Sequence, residues 1–349
     1  MNNKIKIINF LNKLDSKPKI KHINYLITKF KIKLPKNKKL TIKDKYNYIK
    51  KLYNIDKFSL KNEMTIKQIK NQIKQYHFDI NNIGNKKKDM FNYLEKIQQN
   101  HKQISAGYFT NIGKRDYQED RMIIYNNFYH YISGVFDGHA GPRCSSYLKK
   151  NFYKTFIKNY HTLKKPIDTL FRTYFELDKK FLKIIDGNDG STANILFCNK
   201  STKQCYIANT GDSRAILCRK NGSISQISKD HKPNEPKERK RIESKGGFVQ
   251  YNRTNGNLAM SRAFGDKNLK QVLTVEPEIF NFPYGNIRYI VQASDGLFDV
   301  LSNSEVCSFI NLRLRKGITL DIISRDLVMY AINTKGSMDN TSVIITMFE

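Results

Sequence analysis

The chain has 349 residues, 39% of them hydrophobic, and a formal net charge of +31. This length is sufficient for a large catalytic domain plus a smaller region, and the apolar fraction is sufficient for a buried core. No stretch approaches the roughly 18 uninterrupted apolar residues of a membrane span, and Lys and Asn interrupt the apolar N-terminus. The sequence therefore predicts neither a membrane span nor a secretory signal, and we expect an intracellular protein, cytoplasmic, nuclear or both.

The basic charge is concentrated in the first third of the chain. Residues 1–100 contain 25 Lys, no Arg and 7 acidic residues, a net charge of +18 that leaves +13 for the other 249 residues. Such a balance is typical of proteins that bind nucleic acid or an acidic membrane surface. The richness in Lys, Asn and Ile is also what AT-rich codons produce, so both explanations stay open.

Apolar residues in this first third follow a helical spacing, as in Phe91, Leu94 and Ile97. The segment KDKYNYIKKL at 43–52 is repeated as KDMFNYLEKI at 88–97. We therefore predict a small all-α basic region over residues 1–104 with two repeats, at about 20–54 and 64–99. The second repeat resembles the SAP-type modules, which commonly bind DNA. A DNA partner, a protein partner and a merely basic appendage are the three alternatives.

The five cysteines are Cys144, Cys198, Cys205, Cys218 and Cys307. Their number is odd and no C-x-x-C motif occurs. Cys198 and Cys205 are spaced so that they could meet across a hairpin, but we expect free buried thiols. Free thiols are typical of a reducing compartment.

From about residue 105 to residue 349 the composition predicts a different kind of domain. Short β-branched runs occur as RMIIYNN, YHYISGVF, ANILFC, QCYIAN, RAILC, RYIVQAS and SVIITMF. Two helical stretches lie between them. The first carries Leu148, Phe152 and Phe156, and the second carries an apolar stripe expected in the core: Ile167, Leu170, Phe171, Tyr174, Phe175, Phe181, Leu182 and Ile185. The pattern predicts an α+β domain with antiparallel sheets.

Several acidic residues lie beside turn-forming residues at the ends of the predicted strands. They are Glu119, Asp120, Asp137, Asp212, Asp266, Asp295, Asp299 and Asp339. Any one of them alone is expected to cap a helix or close a turn. Together in one cleft they would repel one another strongly, unless divalent cations compensate their charge.

Oxygen ligands without His or Cys clusters favour Mg²⁺ or Mn²⁺ over zinc. Two such ions about 4 Å apart are suited to attack on phosphorus, because they activate a water and neutralise phosphoryl oxygens. Arg115 lies four residues before Glu119, where its guanidinium can hold a phosphate. His139 lies two residues after Asp137, where an imidazole can protonate a leaving alkoxide.

These residues lie among short motifs that follow one another along the chain in this order: RDYQEDR, VFDGHAG, GSTA, NTGDSRA, DHKP, ERKRIESKGGFV, NGNLAMSRAFGD, ASDGLFDV and MDNTSV. This ordered set resembles the PP2C (PPM) family of metal-dependent Ser/Thr protein phosphatases. The resemblance implies a β-sandwich of two antiparallel sheets flanked by helices, with a pair of metal ions at one end. It covers residues from about Gly107 to Glu349.

The resemblance also implies roles for individual residues. Asp137 would bridge both metals, the Gly138 carbonyl would bind one of them, and Asp295 and Asp339 would complete the ligand set. Glu119, with Asp120 beside it, would act through a water at the metals. Arg115 would bind the substrate phosphate and His139 would be the general acid, while Asp212 and Asp299 match the positions of a weaker third metal.

The remaining motif residues are expected to be structural. Ser191 has no His or acid beside it in sequence, so we predict a scaffold role. We expect Asn209, Arg214, Arg262 and Asp266 to fix loops by hydrogen bonds. For His231 and Lys232 we predict a turn, with a position near the substrate as the alternative. In the family, the segment between Pro233 and Asn257 is a flap that influences substrate choice.

The sequence thus predicts a monomeric Mg²⁺- or Mn²⁺-dependent phosphatase that acts on phosphorylated proteins. Two alternatives remain. A two-metal nuclease would suit clustered Asp residues behind a basic, SAP-like region. A non-catalytic phosphoprotein-binding or DNA-tethered regulator would retain the fold without turnover.

Overall fold

The structure is a computed structural model that describes residues 104–127 and 129–348. The basic region predicted for the first third of the chain, with its two repeats and its resemblance to SAP-type modules, lies outside these residues. In the described part of the chain, no helix combines the length and apolar character needed to cross a membrane.

Two five-stranded antiparallel sheets form the centre of the domain. The first has the order β1–β15–β14–β8–β9, with β1 Ile104–Asn111, β8 Arg214–Arg219, β9 Ile224–Gln226, β14 Ile287–Ala293 and β15 Thr341–Phe348. The second has the order β13–β7–β6–β3–β2, with β2 Arg121–Asn126, β3 His130–Phe136, β6 Ala193–Asn199, β7 Gln204–Thr210 and β13 Glu278–Pro283. The predicted antiparallel sandwich is confirmed.

The smaller elements connect and cover these sheets. A three-stranded sheet contains β4 Gly138–His139, β5 Gly190–Ser191 and β12 Phe264–Gly265, and a hairpin contains β10 Val249–Gln250 and β11 Arg253–Thr254. The helices are α1 Arg143–Leu163, α2 Pro166–Ile184, α3 Pro236–Ser244, α4 Asp295–Phe298, α5 Asn303–Arg315 and α6 Leu320–Asn333, and a 3₁₀ turn spans Lys267–Leu269.

Side chains alternate between the two faces of each strand, and the domain has four layers, in which the two sheets lie between two layers of helices. In β6, Ile195 and Phe197 belong to the core under α1 and α2, whereas Leu196 and Cys198 belong to the core between the sheets. In β14, Val291 packs with residues of α5 and α6 on the opposite outer face. Because neighbouring side chains point to opposite faces of a strand, each sheet buries both faces.

The two predicted helices are present, with one correction to their core. Leu148, Phe152 and Phe156 of α1 are fully buried, as their spacing predicts. Ile167 and Phe175 of α2 are 40% and 48% exposed, so their assignment to the core was wrong. Only one side of α2 faces the sheet, and these two residues lie outside the strip that the sheet covers.

The prediction of five free thiols is also wrong. Cys198 and Cys205 form a disulfide, because the β6–β7 register places them directly opposite each other with a Cα separation of 4.1 Å. This spacing is that of the closer pairs in an antiparallel ladder. Cys144, Cys218 and Cys307 are free and buried. The cysteine content therefore no longer supports the prediction of a reducing compartment.

Candidate active site

The acidic residues lie where strand ends meet at one end of the sandwich. Asp137 directly follows β3, and Asp212 and Asp295 lie two residues after β7 and β14. Asp120 directly precedes β2, and Asp339 lies two residues before β15. Antiparallel pairing brings the end of one strand beside the start of the next, as the β2–β3 and β14–β15 registers show. The sheet topology therefore collects acids that are far apart in sequence.

Three of these carboxylates form a compact cluster. Oxygen atoms of Asp137, Asp212 and Asp295 lie within 4.8 Å of one another. Asp212 is buried, and its Oδ1 has no hydrogen-bond partner among the described residues. Because hard divalent cations prefer oxygen ligands, this donor set fits Mg²⁺ or Mn²⁺.

The raised pKa values of Asp137, Asp295 and Asp120 have a common physical cause. Burial, and then repulsion from Asp295 and Asp120, raises the pKa of Asp137 well above its ordinary value. Burial and repulsion from Asp212 and Asp299 do the same to the pKa of Asp295. Burial raises the pKa of Asp120 to about 6, although Ser294 donates a hydrogen bond to its Oδ2 at 2.8 Å. Such mutual repulsion is expected of carboxylates arranged to bind cations.

Gly138 lies beside this cluster on the short strand β4. A Cβ atom there would come 2.6 Å from the backbone oxygen of Glu119 and 2.9 Å from Oγ of Ser145. The position therefore requires glycine. Glu119 is held close by, since its Oε1 accepts a hydrogen bond from the Gly141 amide at 2.6 Å.

Arg115 and Asp339 lie at the solvent-accessible side of the site. Arg115 Nη2 donates to Asp339 Oδ2 at 2.6 Å, with side chains 54% and 38% exposed. The buried Asn340, which sequence reasoning did not single out, holds the loop of Arg115. Its Nδ2 donates to the carbonyls of Ile112 and Tyr117, and its Oδ1 accepts from the Glu119 amide. Its only signal in the sequence is its position after Asp339.

His139 contacts an acid that we expected only to fix a loop. Its Nε2 lies 2.9 Å from both carboxylate oxygens of Asp266. Burial favours the neutral imidazole, but the hydrogen bond and charge of Asp266 prevail and raise the pKa of His139. Nδ1 of His139 is buried, with no hydrogen-bond partner in the part of the chain described.

The DHKP motif, predicted as a turn, also contacts the site. Lys232 Nζ donates to Asp212 Oδ2 at 2.5 Å. His231 is buried, and its Nδ1 accepts a hydrogen bond from the Gly211 amide. Burial, and then repulsion from Asp212, raises the pKa of Asp299, although Lys232 opposes that shift. Asp299 and Lys232 therefore lie on the Asp212 side of the cluster.

The residues expected to be structural make structural contacts. Ser191 Oγ donates to the Thr192 carbonyl. Arg214 pairs with Asp230 at 2.5 Å and lies over the Phe298 ring. Asn209 donates to the carbonyls of Gly211 and Lys229. Arg262 pairs with Glu238.

This arrangement is that of a metal-dependent hydrolase acting on phosphate esters, with a carboxylate cluster, an arginine at its mouth and a buried imidazole. The family model for protein phosphatase 2C matches residues 104–341. "Probable protein phosphatase 2C 11" of Arabidopsis thaliana is 38% identical over 258 residues, covering 70% of this chain and 67% of that protein. "Probable protein phosphatase 2C 59" of the same plant is 35% identical, covering 72% and 82%.

A solved structure of a serine-threonine phosphatase 2C from Toxoplasma gondii has the same fold. Its TM-score is 0.64 at 23% identity, covering 70% of this chain and 95% of that one. The chain belongs to the protein phosphatase 2C family. It is therefore a metal-dependent protein serine/threonine phosphatase, and neither the nuclease nor the non-catalytic regulator is favoured.

Proposed function

We propose that the enzyme uses Mg²⁺ or Mn²⁺, with two ions held by Asp137, the Gly138 carbonyl, Asp295 and Asp339. A third, weaker ion would bind at Asp212 and Asp299. The observation that carries this proposal is the approach of three carboxylates to within 4.8 Å. One of them, Asp212, has a buried oxygen with no hydrogen-bond partner among residues 104–127 and 129–348. When bound, the cations lower the pKa of a water and neutralise phosphoryl oxygens.

Arg115 positions the substrate in this proposal. Its guanidinium is half exposed and is held by the partly exposed Asp339. Such a pair contributes little stability, so the guanidinium is free to turn toward a substrate phosphate and bind two of its oxygens. Glu119 and Asp120 would accept hydrogen bonds from water at the cation site.

His139 supplies the proton to the leaving group. Because Nε2 donates to Asp266, the proton available to the serine or threonine oxygen is the one on Nδ1. The raised pKa favours the protonated imidazole, which suits a general acid for a poor alkoxide leaving group.

The decisive experiment measures phosphate release from a phosphothreonine peptide with Mg²⁺, with Mn²⁺ and with EDTA. We expect turnover only with cation, and a loss of at least about 100-fold in Asp295→Asn. Asp321→Asn, an exposed site on α6, is the matched control and should retain activity. A wild-type protein that is silent with both cations would contradict the proposal, and cleavage of DNA would revive the nuclease.

The role of the first third of the chain stays a prediction. We propose that it recruits the enzyme to DNA or to a protein partner, on the strength of its charge of +18. Phosphate neutralisation makes DNA affinity fall steeply with salt, so the salt dependence of binding separates the two. The monomeric state and the cytoplasmic or nuclear location are likewise predictions.

A further inference from the structure

A lysine contacts the carboxylate cluster. Lys232 Nζ lies 2.5 Å from Asp212 Oδ2, with side chains 36% and 1% exposed. This ammonium group therefore offsets part of the negative charge of the cluster, at Asp212.

Asp212 has two oxygens, and they differ in what surrounds them. Oδ2 accepts from Lys232, whereas Oδ1 is buried without a hydrogen-bond partner among the described residues. A divalent cation that takes Asp212 as a ligand must lie close to the same ammonium. Two cations at such short range repel strongly, so the lysine and the divalent ion exclude each other.

The backbone that carries Lys232 is fastened beside Asp212. The His231 amide donates to the Gly211 carbonyl at 3.0 Å, and the Gly211 amide donates to His231 Nδ1 at 3.1 Å. The Ser261 amide donates to the His231 carbonyl at 2.9 Å. These bonds keep the Lys232 Cα next to the cluster, while its four-carbon stem allows the ammonium to approach or withdraw.

We propose that Lys232 is a tethered competitor for cations at Asp212. Its ammonium occupies the face of the carboxylate cluster that a further divalent ion would need, and so limits the number and affinity of ions bound there. This inference rests on the proposed cation site, and its test is binding rather than turnover.

The experiment titrates the full-length, cation-free protein with Mn²⁺ by isothermal calorimetry, with free Mn²⁺ counted by electron paramagnetic resonance. Lys232→Met removes the charge and retains most of the stem. We expect this variant to bind one more Mn²⁺ per chain, or to bind its weakest Mn²⁺ at least about tenfold more tightly. Lys232→Arg retains the charge and should match the wild type.

Lys229→Met is the matched control, because it removes a lysine of the same segment that pairs with the surface residue Glu235 at 3.1 Å. We expect a wild-type isotherm. Adding Asp212→Asn to Lys232→Met should abolish the gain. The proposal is overturned if Lys232→Met titrates as the wild type does, or if the gain survives loss of the Asp212 charge.

These results are distinguishable from failure of the proposed function. A wild type that binds no Mn²⁺ under any condition would remove the cation site itself. A wild type that binds Mn²⁺, with Lys232→Met unchanged, would remove only the competitor. Should Lys232→Met fail to fold, judged by circular dichroism, Lys232→Gln is titrated in its place with the same expected gain.

Discussion

Asp266 presents its carboxylate to His139 from a backbone conformation that is unfavourable for an aspartate. Its φ is +50°, in the left-handed region, and both of its oxygens lie 2.9 Å from His139 Nε2. Gly190 lies against the pair, and a Cβ there would overlap both Asp266 Oδ2 and His139 Nε2. A left-handed non-glycine residue costs about 1 kcal/mol, so the surrounding structure holds this orientation against strain. The finding makes Asp266 a positioning residue for the proposed general acid.

Asp266→Asn should therefore uncouple proton donation from the rest of catalysis. Without the carboxylate the pKa of His139 falls, so the imidazole loses its proton at a lower pH. We expect kcat for a phosphothreonine peptide at pH 8 to fall about 100-fold. Turnover of p-nitrophenyl phosphate, whose leaving group needs no proton, should fall far less, and the descending limb of the peptide pH profile should move to lower pH. Equal losses for both substrates with an unmoved limb would contradict the assignment.

Asp137→Asn should stabilise the cation-free protein while abolishing catalysis. Burial and repulsion raise the pKa of Asp137, so its ionised form destabilises the folded state as pH rises above the ordinary aspartate value. In EDTA at pH 7 we expect the variant to gain about 1 kcal/mol or more in free energy of unfolding, measured with urea. Addition of Mn²⁺ should stabilise the wild type and have little effect on the variant. A variant that is less stable in EDTA would count against a repulsive cluster.

Glu238 is the ionic centre of the segment between Pro233 and Asn257. It is buried and accepts hydrogen bonds from Arg262 at 2.6 Å and Ser261 at 2.7 Å. Burial opposes its ionised form, but Arg262, Ser261 and Arg241 prevail and lower its pKa to about 2. Its contribution to stability is therefore complete above about pH 4.5 and is lost as pH falls toward 2.

Glu238→Gln should leave two arginines without their charge partner. We expect the free energy of unfolding at pH 7 to fall by about 3 kcal/mol, and the difference from wild type to shrink between pH 4.5 and 3. Urea titrations across that range provide the measurement. Glu243→Gln, which breaks an exposed pair with Arg239, is the control and should cost less than about 1 kcal/mol.

Because Cys198 and Cys205 form a disulfide, we expect three thiols rather than five to react with a thiol reagent. Unfolded, unreduced protein treated with a thiol reagent should show the three free cysteines, with Cys198 and Cys205 recovered in one linked peptide. The bridge spans seven residues, so loop closure gives an expected loss of about 2 kcal/mol when both are changed to Ala. Five reactive thiols would show that the pair is reduced.

The sequence was sufficient to predict features that depend on local pattern and motif order. Runs such as ANILFC became β6 because alternating β-branched and aromatic residues favour a strand with two buried faces. Asp137 and Asp295 were identifiable because each follows such a run at a glycine turn. By contrast, ISAGYFTN did not predict β1. Ser, Ala and Gly interrupt this run, and it forms a strand because all eight of its residues pair with β15.

The missed features depend on contacts between distant segments. No residue near Lys232 in the sequence indicates that this lysine contacts Asp212. The two loops are brought together by a hydrogen bond between His231 and Gly211. The disulfide required the exact β6–β7 register, which a one-residue shift would destroy. The exposure of Phe175 required knowing how much of α2 the sheet covers. Tertiary geometry decided each case, and no local propensity encodes it.

The position of β15 has a consequence for protein synthesis. This strand lies between β1 and β14, pairing Ile104 with Phe348 and Ala293 with Val343, and Asp339 lies just before it. A nascent chain translated only as far as Asn333 already contains Asp137 and Asp295 but lacks both this strand and Asp339. Because Asp339 is a proposed cation ligand and β15 joins β1 to β14, we expect dephosphorylation to require synthesis of residues 339–348.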